Sequence, residues 1–297
     1  MQQSLFQRKE LQRLNGYKAK PFHVQLLKWI GNKQRFAHEI ISHFPEKYGK
    51  YIEPFLGSGA VLGTLAPEKG IASDTLKPLV DIWLALKNDP EKLKSWYEVR
   101  GHKLMSGNRQ EVYEEVKASY NRSPNAADLL FLSRACYGGV VRFRQDDGYM
   151  STPCGIHRPI SSRSFAARVD LWHERVLGTD FYHSDFEPVM DAAESGDIIY
   201  CDPPYVHSQA ILYGAQKFSL DRLLANISRC KDRGVFVALS IDGTKKSGNY
   251  QCNLIIPKDL FAREVMVNCG RSMLRRFQME GEELAEEVVN DRLLLTW

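Results

Sequence analysis

The spacing of apolar residues changes from helical to strand-like within the first part of the chain. Four apolar side chains recur at helical spacing: Phe36, Ile40, Ile41 and Phe44. Because positions three and four apart line one face of a helix, they predict a helix over residues 35–44, which Pro45 would end. The next apolar run, residues 51–55, predicts a strand.

A glycine-containing turn joins this strand to a second one. Residues 56–60 read Leu-Gly-Ser-Gly-Ala and open a run of small side chains that predicts a helix. Ile71 and Ala72 then predict a short strand, which Ser73 and Asp74 follow. The order strand, glycine turn, helix, strand and acid is typical of the start of a nucleotide-binding βαβ unit.

The pattern over residues 77–168 is largely helical. Asp89-Pro90 fits an N-cap followed by proline in the first helical turn, and Ser123-Pro124 repeats the arrangement. Residues 140–150 instead alternate apolar with polar around Asp147-Gly148, which predicts a β-hairpin.

Strand-like runs resume in the last third of the chain. They cover residues 197–201 and 235–240, and a helical pattern lies between them at residues 220–233. The sequence therefore predicts one α/β domain that a helical insert divides in two.

Composition narrows the class of protein. The 297 residues are 43% hydrophobic and 26% charged, enough for a sizeable core in a soluble protein. No apolar run approaches the roughly 18 residues of a membrane helix, so no membrane association is expected. The N-terminus lacks the apolar stretch of a signal peptide, and the six cysteines show no Cys-x-x-Cys spacing. We therefore expect a cytoplasmic protein with reduced thiols and no structural zinc.

Positive charge is concentrated in two segments. Residues 1–50 contain ten Lys or Arg against three Glu, and residues 134–168 contain six Arg against two Asp, whereas the whole chain has a net charge of only +4. Two basic segments on an otherwise acidic chain favour contact with nucleic-acid phosphates. A solvated charged face is the alternative explanation for either segment.

The most informative motif is Asp202-Pro203-Pro204-Tyr205, which follows the predicted strand at 197–201. Two prolines remove two backbone donors and end the strand stiffly, so a carboxylate and a phenol ring are displayed at its carboxyl end. Ligands of open α/β sheets bind at that edge. An acid, a fixed carbonyl and an aromatic face suit a flat heterocycle with an exocyclic amine. The alternative is a strand followed by a simple proline-rich turn.

Several residues are candidates for a cofactor site. Gly57 and Gly59 allow a backbone approach at a helix N-terminus, and Asp74 can accept both hydroxyls of a ribose. A dinucleotide fingerprint would need a third glycine where Leu62 stands, which favours a nucleoside cofactor without phosphate.

Two further pairs are weaker candidates for the same site. Trp29 and Lys33 could line a cofactor pocket, and Asp185-Phe186 could hold an adenine and its amine. The alternatives are an interface Trp beside a solvated Lys, and a loop with a solvated Asp and a core Phe. The histidines show no metal-ligand spacing and no nucleophile elbow is present, so we expect no metal and no hydrolase chemistry.

The order of these motifs resembles the DNA adenine-N6 methyltransferase family, in the class whose recognition domain is inserted between the cofactor and catalytic motifs. The resemblance covers roughly residues 26–295. It implies a Rossmann-like S-adenosylmethionine-dependent methyltransferase sheet with an inserted, mostly helical target-recognition domain that contains a β-hairpin. The catalytic domain would comprise residues 1–76 and 169–297, and the DNA-binding domain residues 77–168.

The resemblance also assigns roles at the site. S-adenosylmethionine would be the methyl donor and double-stranded DNA the substrate, with Asp202, Pro203 and Tyr205 acting on N6 of a flipped-out adenine. The donor pocket would be formed by nine residues: Trp29, Lys33, Phe55, Gly57, Gly59, Asp74, Asp185, Phe186 and Asp202. Leu76 stands where relatives often have Asn, so the pocket is expected to differ there.

The insert resembles the family's recognition segment over residues 132–148. By that resemblance Arg134 would contact the DNA backbone, Tyr137 would wedge beside the flipped base, Arg142 would read a base edge and Arg144 would contact a phosphate. Gly138 replaces a frequent Asn, so the target sequence is not inherited from the resemblance.

Other functions stay open at this stage. A cytosine-N4 or RNA methyltransferase would use similar geometry, although cytosine-N4 enzymes commonly have Ser at the position of Asp202. A non-catalytic DNA-binding regulator on the same scaffold is a second alternative, and an NAD-type oxidoreductase is a distant third. A cognate restriction endonuclease as partner and a monomeric or weakly dimeric state are not decided by the sequence.

Overall fold

A computed structural model of the chain describes residues 19–29, 31–144, 146–204, 218–245, 250–251, 256–257, 259–271 and 288–297. The described strands, in chain order, are β1 (Tyr51–Glu53), β2 (Gly70–Asp74), β3 (Thr179–His183), β4 (Ile198–Cys201), β5 (Phe236–Lys245), β6 (Tyr250–Gln251), β7 (Arg263–Arg271) and β8 (Val288–Leu295). The described α-helices are α1 (Ala37–Ser42), α2 (Ala60–Leu65), α3 (Lys77–Asn88), α4 (Pro90–Ser106), α5 (Arg109–Arg122), α6 (Ala126–Ala135), α7 (Ser162–Val176), α8 (Phe186–Asp191) and α9 (Leu220–Asp232).

The strands form one mixed sheet in the order β3-β2-β1-β4-β5-β8-β7, with β6 paired to β5 outside this order. Strands β1 to β5 pair in parallel, whereas β8 runs antiparallel to both β5 and β7. The strand order reverses between β1 and β4, which makes the carboxyl ends of these two strands the expected place for a ligand. The fold is therefore the predicted Rossmann-like α/β sheet.

Apolar clusters cover both faces of this sheet. On one face Trp83 and Trp172 pack with helices of the 77–168 segment, and on the other α8 and α9 cover residues such as Ile199 and Leu239. Buried strands need cover on both sides, because every apolar face left in water costs free energy. The helix α3 packs on β2 and β3 and also on α6, so one core continues from the sheet into the helical segment.

Local signals set several element boundaries. The Asp89 carboxylate accepts a hydrogen bond from the Lys92 N–H at 3.1 Å, and Pro90 occupies the first helical turn of α4, as predicted. The predicted cap of α6 was Ser123, but the observed cap is Asn125, whose side chain accepts a hydrogen bond from the Asp128 N–H at 2.9 Å. The helix α6 therefore begins at Ala126, two residues after Pro124, because the Asn125 side chain and not that of Ser123 satisfies a backbone donor of the first turn.

The predicted hairpin is present as a short antiparallel pairing. Phe143 and Met150 form a bridge, and the Arg144 N–H donates to the Tyr149 carbonyl at 2.9 Å. Gly148 has a φ of +68°, in the left-handed region that favours glycine. None of the described helices has both the length and the apolar character needed to cross a membrane.

Candidate active site

A cavity of about 430 Å³ opens at the carboxyl edge of the sheet, beside the point where the strand order reverses. The turns after β1, β2, β3 and β4 all reach it, because parallel strands end at the same edge. Eight of the nine donor-site candidates line it: Trp29, Lys33, Phe55, Gly57, Asp74, Asp185, Phe186 and Asp202. The ninth, Gly59, is the N-cap residue of α2 directly below.

The glycine turn after β1 lets the backbone approach Asp74. Gly57 and Gly59 have φ values of +46° and +60°, and a Cβ at Gly59 would lie 2.8 Å from the Trp83 ring. The Asp74 carboxylate accepts hydrogen bonds from the Gly57 and Leu76 N–H groups, both at 3.0 Å. Burial raises the pKa of Asp74, and these backbone donors oppose that rise.

One wall of the cavity is aromatic. The Phe55 ring centroid lies 5.2 Å from that of Phe186 and 5.8 Å from that of Phe218, the latter at an edge-on angle of 82°. Asp185 caps α8 by accepting from the Glu187 N–H at 3.1 Å, which fixes its carboxylate next to this wall. A flat apolar surface beside a carboxylate matches the edge and face of a purine with an exocyclic amine.

A second part of the cavity lining carries charge. The Lys33 side chain is only 4% exposed, and its Nζ lies 2.8 Å from Asp202 Oδ1 and 3.5 Å from Asp291 Oδ2. It also donates to the Gly31 carbonyl at 3.0 Å. Lys33 was predicted to line the cofactor pocket, and the structure joins it directly to the acidic residue of the Asp-Pro-Pro motif. A buried ammonium needs such partners, because removal from water disfavours its charge.

A second carboxyl group lies beneath this wall. Glu53, at the end of β1, is 2% exposed and accepts from the Tyr51 hydroxyl at 2.6 Å and the Leu62 N–H at 3.0 Å. Burial, supported by the negative charge of Asp202, raises the pKa of Glu53 to about 8, although its two hydrogen bonds lower it. Glu53 is therefore mostly protonated at neutral pH.

The other residues of the motif are described only in part. Pro203 is buried directly after Asp202, and Pro204 lines the cavity. Tyr205 lies outside the described residues, so its predicted stacking role stays a prediction.

The predicted DNA-contact residues differ in how exposed they are to solvent. Tyr137 begins a 3₁₀ turn, Tyr137–Gly139, in which a Cβ at Gly139 would lie 2.9 Å from Lys28 Cβ. This close approach brings the predicted wedge next to the segment that carries Trp29. Arg142 and Arg144 are exposed on the hairpin, where Arg144 pairs with Asp147 at 2.6 Å.

Arg134 has a position that does not suit the phosphate contact expected for it. The residue is 6% exposed, and its Nη1 donates to the carbonyls of Gln25 and Leu26 at 3.2 and 2.7 Å. The side chain instead ties α6 to the segment before Trp29. The family resemblance predicts a DNA-backbone contact for this arginine, but α6 is buried along nearly its whole length.

Sequence reasoning missed three side chains of the site: Glu53, Asp291 and Phe218. Glu53 interrupts the apolar run of β1, which is a signal for a functional or paired charge because unpaired acids are rarely buried, whereas Asp291 stands between Asn290 and Arg292 and is not marked out by the pattern. Phe218 gave no such signal, since its place in the wall depends on how α9 packs.

A sheet whose parallel strands reverse their order, with a cavity at that point and an Asp-Pro-Pro motif in its lining, is the arrangement of a Rossmann-like methyltransferase. A family model described as "D12 class N6 adenine-specific DNA methyltransferase" matches residues 29–255. The chain belongs to this family, and it is therefore an enzyme that methylates adenine in DNA.

Curated relatives support the assignment. The chain is 27% identical over 231 residues to a DNA adenine methylase of Vibrio cholerae, covering 72% of this chain and 79% of the relative. A type II methyltransferase of Lactococcus lactis is 26% identical over 230 residues, again covering 72% and 79%. A type II methyltransferase of Methanocaldococcus jannaschii is 30% identical over 207 residues, covering 63% of this chain and 69% of the relative. These matches favour adenine N6 over the cytosine-N4 and oxidoreductase alternatives.

Proposed function

We propose that this chain transfers a methyl group from S-adenosylmethionine to N6 of an adenine that has swung out of double-stranded DNA. The observation that carries the proposal is the position of Asp202: its carboxylate lies at the rim of the cavity and is held from behind by the buried Lys33 ammonium, 2.8 Å away. The donor and the target base would thus meet at one carboxylate.

The residues around the cavity fit this donor. A volume of about 430 Å³ lies within the range of small-molecule sites. Asn32 lines the cavity, and within the described part of the chain its buried Nδ2 has no hydrogen-bond partner, so it is suited to donate to a carboxylate such as that of a methionine. Asp74 would accept the ribose hydroxyls with its remaining lone pairs. The wall of Phe55 and Phe186 would hold the adenine.

The donor supplies, when bound, a methyl group already activated on a sulfonium. The enzyme would therefore have to position the donor and the base and stabilise the charge that develops in a direct displacement. The Asp202 carboxylate and the Pro203 carbonyl would accept hydrogen bonds from the two N6 protons, and this would turn the nitrogen lone pair out of the ring plane. As positive charge develops on N6, the nearby carboxylate would stabilise it, and one of the two N6 protons would then pass to solvent to leave the neutral methylated amine.

On the DNA side, extrusion of the base costs a few kcal/mol, which phosphate contacts can offset. Residues 77–168 would provide the recognition surface. The turn at Tyr137 would stand beside the vacated position in the stack, and the exposed Arg142 and Arg144 would contact a base edge and a phosphate. With Arg134 buried, the chain relies on these hairpin arginines.

The cellular setting is also part of the proposal. A relative in Lactococcus lactis bears the name of a type II methyltransferase. We therefore extend the proposal to a cytoplasmic enzyme that protects DNA against a cognate restriction endonuclease. Protection of methylated DNA from cleavage by a lysate of the host strain would support this, and unhindered cleavage would oppose it.

The test of the reaction uses labelled S-adenosylmethionine, duplex DNA and two variants. Asp202→Asn keeps the shape of the side chain but removes its charge, and we expect methyl transfer to fall by at least about a thousandfold while DNA binding stays within about threefold. The control is Asp191→Asn, since Asp191 is a half-exposed acid paired with Arg229 at 3.5 Å.

Digestion of the product to nucleosides identifies the base. N6-methyladenine supports the proposal, and N4-methylcytosine would overturn it. Equal losses of DNA binding and rate in Asp202→Asn would contradict the role given to this carboxylate. DNA binding without any methyl transfer by the unaltered protein would identify a regulator instead.

A further inference from the structure

Two cysteines of the 77–168 segment face each other across an isolated antiparallel bridge. Cys136 directly follows α6, and its backbone pairs with that of Cys154. The residue after each cysteine donates a backbone hydrogen bond to the residue before the other, at 2.9 and 2.8 Å. Because these two bonds lie on either side of the cysteines and not between them, Cys136 and Cys154 form a non-hydrogen-bonded pair.

This kind of pair brings two side chains especially close. Its Cα atoms lie about 4.5 Å apart, and the opposed side chains point to the same face. Disulfide bonds join residues whose Cα atoms are roughly 4.4–6.8 Å apart. Both thiols are free. A bond between them therefore needs little movement of the backbone.

A glycine allows the two segments to approach each other. A Cβ at Gly155 would lie 2.8 Å from the Ala135 carbonyl oxygen and 2.9 Å from that of Cys136. A larger residue at this position would push the two cysteines apart. Further along, the Thr152 hydroxyl donates to the Val140 carbonyl at 2.6 Å in a buried hydrogen bond. The pairing of the two cysteines is thus fixed on both sides of Cys154.

The two thiols differ in their access to solvent. Cys136 is 5% exposed, and burial raises its pKa to about 12. Cys154 is partly exposed; burial raises its pKa as well, but the Arg109 guanidinium beside it lowers it. An oxidant from solvent therefore reaches Cys154 first. With both pKa values raised, little thiolate is present at neutral pH, which agrees with the reduced thiols expected from the sequence.

We propose that Cys136 and Cys154 form an oxidisable pair, which hydrogen peroxide converts to a disulfide that closes the segment 137–153 at its base. The Cys154 thiolate attacks the peroxide, so that an S–O bond forms, the O–O bond breaks and hydroxide leaves. The Cys136 sulfur then attacks the sulfenic acid on Cys154: the S–S bond forms, the S–O bond breaks, and the thiol proton leaves with the hydroxide as water. Two electrons pass from the sulfurs to one peroxide, which yields two waters.

The segment that the bond would close carries three of the predicted DNA contacts: Tyr137, Arg142 and Arg144. A disulfide restricts this segment mainly in the unfolded chain and so favours the folded one. The inference goes beyond the proposed methyl transfer and does not rest on it.

A metal site is the other common use of neighbouring cysteines. Structural zinc takes four ligands from Cys and His. Within the described part of the chain, no three His, Cys, Asp or Glu side chains are grouped so that they could hold a metal ion. The geometry therefore favours a pair of thiols.

Peptide mapping tests whether the bond forms. The folded, unaltered protein is treated with excess hydrogen peroxide in slightly alkaline buffer, capped with iodoacetamide and digested with trypsin. We expect a disulfide between the peptides 135–142 and 145–163, which contain Cys136 and Cys154. Dithiothreitol should separate them again, whereas it does not reverse oxidation of methionine. Folded protein that shows no such linkage after this treatment would overturn the inference.

The melting temperature tests whether the pair is placed for the bond. The oxidised protein should melt about 3 °C or more above the reduced protein, because the closed segment has less freedom when unfolded. Linkage with an unchanged or lower melting temperature would show that the bond distorts the native backbone, and would also overturn the inference.

Three variants assign the roles of the sulfurs. Cys154→Ser should abolish both the linkage and the rise in melting temperature. Cys136→Ala removes the second sulfur, so a sulfenic acid should persist on Cys154 and react with dimedone; an unlabelled Cys154 would contradict its role as the attacking sulfur. The control is Cys230→Ser, since Cys230 is a buried cysteine whose thiol donates to the Met190 carbonyl at 3.6 Å, and it should leave the linkage intact.

Discussion

Replacement of Glu53 by Gln should change how the stability of the protein depends on pH. The Glu53 carboxyl group is buried between the Tyr51 hydroxyl and the Leu62 N–H, and its pKa in the folded protein rises from 4.5 to about 8. In the unfolded chain the same group titrates near its ordinary value. Between these two pKa values the folded state holds a proton that the unfolded state has released, so stability falls as pH rises.

The size of the effect follows from the two pKa values. The contribution of Glu53 to the free energy of unfolding begins to fall above about pH 4.5, and the fall is complete a little above pH 8. The total is about 5 kcal/mol, because each unit of difference between the two pKa values corresponds to about 1.36 kcal/mol. Between pH 6 and pH 9 the same two pKa values give about 3 kcal/mol. The Gln side chain can accept the same two hydrogen bonds and does not ionise, so Glu53→Gln should lose this part of the pH dependence.

Urea denaturation followed by tryptophan fluorescence measures the difference. We expect the free energy of unfolding of the unaltered protein, without donor, to fall by about 3 kcal/mol more than that of Glu53→Gln between pH 6 and pH 9. The control is Glu194→Gln, because the Glu194 side chain is 75% exposed and pairs at the surface with Lys50. Parallel curves for Glu53→Gln and the unaltered protein would refute the reasoning.

Three further changes test other parts of the structure. Gly59→Ala should lower the free energy of unfolding by about 1–3 kcal/mol, because its φ is +60° and a Cβ would lie 2.8 Å from the Trp83 ring; urea denaturation measures it. Arg134→Met should lower the melting temperature, since its guanidinium bonds to buried backbone carbonyls, without changing the salt dependence of DNA binding. Arg144→Ala should lower the slope of log affinity against log salt by about one, measured by fluorescence anisotropy.

Each of these has a control or a contrary result. Gly148 has a similar φ of +68° but nothing within 4 Å of a Cβ, so Gly148→Ala should cost less than Gly59→Ala. Equal losses in the free energy of unfolding would show that the positive φ, and not the contact with Trp83, causes the destabilisation. A changed salt slope in Arg134→Met, or an unchanged one in Arg144→Ala, would reverse the roles given to these two arginines.

Much of the local structure could be read from the residues themselves. The helix start at Pro90, the glycine turn after β1 and the hairpin around Gly148 each depend on the φ preferences and hydrogen bonds of a few neighbouring residues. The cap at Asn125 was missed for an equally local reason, since two capping side chains flank Pro124 and the sequence pattern favoured the wrong one.

The amino-acid sequence by itself determined the order of the motifs, the parallel α/β pattern with its helical segment, and the Asp-Pro-Pro motif that would face a base. These depend on spacing along the chain. Only the tertiary structure decided that Asp291, near the far end of the chain, shares Lys33 with Asp202, that Glu53 is buried beneath them, and that Arg134 faces inward. The physical reason is that burial and ion pairing are set by which strands become neighbours, and β8 enters the sheet between two strands that precede it in the chain.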